Sequence, residues 1–153
     1  MTMLDDLIRN AAKLMGEQAA AYRRLDSACL QLAAALVNAQ PETIDSLTRA
    51  GEGELLKMRA RLVQLMTALA SFADARSQGE KQTPLSAETR TLFREASREL
   101  LAAAQHFQRS RTRAAALANN GATFASVGIE SCGVTPTTYR APYARRGEGR
   151  PWA

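Results

Sequence analysis

Aromatic side chains are scarce in this chain, at 5% of 153 residues, and histidine and cysteine are scarcer still, with one and two copies. A core so short of rings has to be built from leucine, alanine and methionine, which fits packing between helices. Cys29 and Cys132 do not form the dense pattern of a disulfide scaffold or a zinc site, and a reducing cytosol is the simplest compartment for them. His106 has no cysteine or carboxylate at metal-ligand spacing, so it reads as a surface or packing residue. No uninterrupted apolar run approaches the roughly 20 residues of a membrane span. Asp5 and Asp6 stand where a signal peptide would carry basic residues. A phosphate-binding glycine loop after a strand, a nucleophile elbow and an HExxH-type pattern are all missing. Neither an enzyme nor a bound cofactor or metal is expected.

What the chain does have is apolar residues spaced alternately four and three apart. The first series runs Leu4, Ile8, Ala11, Met15, Gln18, Tyr22, Leu25, Cys29, Leu32, Leu36. Its mean step of about 3.5 residues keeps one seam facing a partner helix over the whole length. A helix over about 4–38 follows, on the order of 50 Å long at the usual rise per residue. Asn38-Ala39-Gln40-Pro41 stops it and starts the next, since proline cannot continue a helix but suits a first turn. So short a connection turns the second helix, about 42–76, back along the first.

The second seam reads Ile44, Thr48, Gly51, Leu55, Met58, Leu62, Leu65, Leu69, Phe72. Gly51 and Gly53 weaken its beginning, where fraying, a kink or a close approach is expected, and from Leu55 onward it is firm. Met15, Met58 and Met66 are expected to fill the core. Ser77 to Pro84 is a loop by composition. A third helix over about 86–127 then starts with Ser86 as N-cap and carries Thr89, Phe93, Ala96, Leu100, Ala103, Phe107, Ser110, Ala114, Leu117, Gly121, Phe124. Small residues replace leucine from Ala103 on, leaving room around Phe107 and Phe124. A helix that does not fill its own groove is a candidate groove for another chain.

The expected fold is therefore all-α. It is an elongated antiparallel hairpin with a third long helix, a coiled-coil-like three-helix bundle over residues 1–127. Residues 128–153 form a flexible tail rich in glycine, proline and arginine. That tail also holds Ile129, Val134, Tyr139, Tyr143 and Trp152, so it suits a segment that orders on binding as well as a plain disordered end.

The net charge of +5 is uneven: residues 1–84 hold ten Lys/Arg and ten Asp/Glu, and residues 85–153 hold ten Arg and five Asp/Glu. Arg90, Arg94, Arg98, Arg109, Arg111 and Arg113 could mark a nucleic-acid footprint. Their heptad positions, however, scatter them around the outer face among Glu88, Glu95 and Glu99, as on a solvated surface.

The long first helix, the turn Asn38 to Leu47, the Leu55-Leu56 pair, Leu117-Ala118-Asn119-Asn120-Gly121, Thr138-Tyr139-Arg140 and Tyr143-Ala144-Arg145-Arg146-Gly147 follow an order that resembles the FlgN family of flagellar export chaperones. The resemblance covers nearly the full length. It implies a cytoplasmic type III export chaperone that holds the amphipathic C-terminal helix of flagellar hook-associated, hook-filament junction, proteins and prevents their premature assembly. It also implies delivery to the export gate and ATPase complex. Combined with the thin third seam, it implies client contacts at Phe107, Ala114, Leu117, Asn119, Asn120, Gly121, Phe124 and Val127. Export-apparatus docking would fall to a tail carrying Tyr139, Tyr143, Arg145 and Arg146. The chain would act as a monomer or weak dimer, with no nucleic acid and no membrane insertion. The alternative is a basic helical nucleic-acid-associated protein or a coiled-coil scaffold.

Overall fold

The computed structural model describes residues 2–78 and 84–131, with side chains described as far as 123. Three helices account for them: α1 (Met3–Val37), α2 (Pro41–Ser77) and α3 (Ala87–Ser131). The protein is an all-α three-helix bundle, with no strand among the described residues. The chain divides into two units, Met1–Ala114 and Ala115–Ala153. The first holds α1, α2 and α3 as far as Ala114.

Within the first unit each helix packs against the other two. Gln18 Nε2 donates to the Met58 carbonyl at 3.4 Å, and Arg24 pairs with Glu54 at 2.7 Å. As the position on α1 rises, that on α2 falls, so these helices run antiparallel. Toward α3 the partners advance together, from Asp5 with Ser86 to Met15 with Ser97 and Asp26 with Ser110, which makes α1 and α3 parallel. One core cluster joins Ala11, Met15, Leu65 and Ala68, with Phe93, Ala96 and Leu100 packed against it. A second joins Ala21, Leu25, Met58 and Phe107.

Every residue of the α1 seam from Leu4 to Leu36 is buried or half-buried. A second buried line, Asp5, Ala12, Ala19 and Ala33, runs beside it. Its members are spaced in multiples of seven and, after Asp5, all are alanine, because a helix covered on two sides needs small side chains where a neighbour comes close. The start of α1 is fixed by a reciprocal cap in which Asp5 N–H donates to Thr2 Oγ1 and Thr2 N–H donates to the Asp5 carboxylate, each at 3.3 Å.

The α1–α2 turn is a Schellman arrangement: Gln40 N–H donates to Ala35 O at 3.0 Å and Ala39 N–H to Leu36 O at 3.4 Å. It places Ala39 at φ 50°, the left-handed region that usually takes glycine. Pro41 then opens α2. That helix is continuous through Gly51 and Gly53, and no atom lies within 4 Å of where a Cβ would stand on either. The weak start anticipated for α2 is thus not frayed, and neither glycine is a site of close approach.

The remainder of the α2 seam differs from expectation. Met58 and Leu65 are buried, but Leu55 and Leu62 are exposed, as are Leu56, Val63 and Met66. With α1 and α3 packed on one side only, α2 has more apolar surface than neighbours to cover it. Met66 is therefore not a core filler, whereas Met15 and Met58 are.

Candidate functional site

Ser86 caps α3, its Oγ accepting the Thr89 N–H at 3.1 Å, and Thr89 itself is fully buried. From there the seam residues Ala103, Phe107 and Ala114 turn inward and are buried. The Phe107 ring lies 5.6 Å from the Tyr22 ring at a tilt of 43° and packs with Ala21, Leu25 and Met58. The Phe107 ring is largely covered by α1 and α2, and the room left beside it is a cavity of about 190 Å³ that it lines with Leu25, Cys29, Leu55 and Arg111. Ala103 and Ala114 are buried in the bundle, and Ala103 also lines a cleft of about 380 Å³ with Arg23, Asp26, Glu99 and His106.

The proposed client contacts consequently fall in different units. Phe107 and Ala114 are core residues of the first. Leu117, Asn119, Asn120 and Gly121 belong to the second, where Leu117 is half-buried and the other three are exposed. Gly121 introduces no break, because α3 continues as helix to Ser131, past the expected end at Val127. The side chains of Phe124 and Val127, and the tail residues Tyr139, Tyr143, Arg145 and Arg146, lie outside the described residues.

Burial pushes the half-buried Cys29 thiol up from its ordinary pKa, Asp26 adds to the effect and Arg111 opposes it. A thiol shifted in that direction stays protonated at neutral pH and is a poor nucleophile. His106 is exposed, beside Arg23, Asp26 and Glu99. Glu54 accepts from Arg24 and from Arg61, at 2.7 and 3.4 Å, and the Arg24 hydrogen bond chiefly holds its carboxyl below the usual range. Among the described residues no cluster of histidine, cysteine or carboxylate could hold a metal ion, and no helix is long and apolar enough to cross a membrane.

A feature that sequence reasoning missed lies between α2 and the start of α3. A groove of about 620 Å³ is lined by the apolar residues Ile8, Leu69, Phe72, Leu85, Phe93 and Leu101 together with Arg76, Arg90, Arg94 and Arg98. The expected scatter of arginines over the outer face holds only in part. Arg90, Arg94 and Arg98 are four residues apart and share one side of α3, a row that the spacing alone could have revealed. Arg76 joins them only through the fold.

No family model, curated protein or solved structure matches the chain. Its function has to be argued from the bundle and its surfaces.

Proposed function

We propose that the chain is a cytoplasmic export chaperone of the flagellar type III apparatus, a binding protein without catalytic activity that sequesters the C-terminal amphipathic helix of hook-associated proteins. The observation that carries this reading is the helical presentation of residues 117–127, with Asn119, Asn120 and Gly121, the residues of the family-like element, exposed to solvent. An exposed face of that kind on a long helix is the geometry used when one amphipathic helix is recognised by another. The client surface is accordingly residues 117–127, with Phe107 and Ala114 supporting the bundle instead of touching the client. Hand-over to the export gate and ATPase complex is assigned to the tail with Tyr139, Tyr143, Arg145 and Arg146.

The test is co-purification with the C-terminal region of a hook-associated protein, comparing the full chain with a version ending at Ala118. Retention by the full chain and loss by the shortened one is the expected result. Equal retention by both would place the client elsewhere, and no retention by either would end the chaperone reading.

A further inference from the structure

We infer that the arginine-lined groove between α2 and the N-terminal part of α3 is a docking site for an acidic amphipathic helix of a partner protein, separate from residues 117–127. The inference goes beyond the chaperone reading and does not depend on it.

Charge identifies the occupant. Arg76, Arg90, Arg94 and Arg98 all line the groove, all are exposed, and no carboxylate is among its described lining residues. The ion pairs among the described residues engage Arg9, Arg23, Arg24, Arg49 and Arg61, and none engages these four. Helix electrostatics explains Arg76, in the last turn of α2, but not Arg90, which sits near the positive end of α3 where a cation is disfavoured. Like charges at a spacing of four along α3 repel one another, and a row of carboxylates laid beside them would turn that repulsion into attraction.

The apolar lining argues for a helix instead of a bare anion. Of its members Leu101 is 61% exposed, while Leu69, Phe72 and Phe93 are half-buried. Leu62 and Met66, on the same side of α2 as Leu69, extend this apolar strip by about two turns and are 47% and 63% exposed. A phosphate backbone would satisfy the arginines but leave the strip in water. An amphipathic helix with leucines at i, i+3, i+4 and i+7 and flanking Asp or Glu meets both requirements. The chain's own residues 132–153 are a poor occupant, since they carry Arg140, Arg145, Arg146 and Arg150 against a single carboxylate, Glu148.

The experiment titrates the full-length protein calorimetrically with three synthetic peptides of about 18 residues, long enough for five helical turns. The first has a leucine face flanked by Glu, the second replaces Glu with Lys, and the third keeps the acidic composition with its leucines dispersed. Binding of the first at least about tenfold tighter than of the other two is expected. The exposed-site variants Arg90→Glu/Arg94→Glu and Leu101→Gln should each weaken it by a similar factor without changing helicity or Tm, and the Lys peptide should bind the charge-reversed protein. Three outcomes overturn the proposal. These are equal binding of ordered and dispersed peptides, indifference to both variants, and a groove that takes duplex DNA or a second copy of the chain in an Arg90- and Arg94-dependent manner while refusing the acidic peptide. Client co-purification is read out at residues 117–127, so failure there and failure here are distinguishable.

Discussion

The Asp5 carboxylate accepts the backbone N–H of Ser86 at 3.1 Å, tying the first turn of α1 to the residue that caps α3. The same carboxylate closes the α1 cap with Thr2, so one side chain organises the start of two helices. These hydrogen bonds, that from Ser86 foremost, favour the ionised form and hold its carboxyl well below the usual carboxylate range. A depressed pKa means that Asp5 contributes stability above its unfolded pKa of about 3.9, and that this contribution is lost as the pH falls below that value. Asp5→Asn should therefore lower stability at pH 7 and reduce the further loss on acidification. Urea denaturation at pH 7 and pH 3 checks both, and an unchanged difference between the two pH values would show that the link is not electrostatic.

Ser86→Ala removes the α3 cap while leaving the Ser86 N–H available to Asp5. A loss of about 1 kcal/mol is expected from the cap alone. Because the two hydrogen bonds share a residue, the double variant with Asp5→Asn should be non-additive, measurable as a double-mutant cycle in urea.

Ala39→Gly should stabilise the protein, an unusual direction for a change to glycine. At φ 50° a side chain costs about 1 kcal/mol that glycine avoids, and the Schellman bonds from Ala39 and Gln40 use only backbone atoms. A rise in Tm by thermal circular dichroism is the expected readout.

Gly51→Ala and Gly53→Ala should also stabilise, by about 1 kcal/mol each, since both sit in continuous helix with open space where a methyl would go. A decrease in Tm for either would mean that this stretch of α2 is covered in solution.

Phe107→Ala separates a core role from a binding role. Loss of a buried ring packed on Tyr22 and Met58 should cost about 3–5 kcal/mol. Leu56→Ala, at an exposed site of α2, should stay within about 0.5 kcal/mol. Similar denaturation midpoints for the two would contradict the packing described.

The α1 seam was legible in full, from Leu4 to Leu36, because a helix enclosed by two others has to present an apolar face all along its length. The Asn38 to Pro41 turn was legible for the same kind of local reason, proline and helix-stop chemistry acting within a few residues. The α2 seam was not, since spacing identifies a face without saying whether a neighbour reaches it, and Leu55, Leu62 and Met66 look identical in sequence to the buried Met58 and Leu65. At α3 the same ambiguity acted in the opposite sense. Alanines at 103 and 114 suggested an open groove, whereas both are buried in the bundle.

Sequence by itself determined three helices, their approximate ends, the reversal at Pro41 and the cap at Ser86, all of which follow from periodicity and backbone chemistry over short distances. Only the tertiary structure decided that Asp5 would reach Ser86, that Phe107 would be buried, and that Arg76 would line one groove with Arg90, Arg94, Arg98 and apolar residues. Such meetings depend on the relative offset of α1, α2 and α3, and that offset is set by side-chain packing summed over the bundle, not by any segment alone.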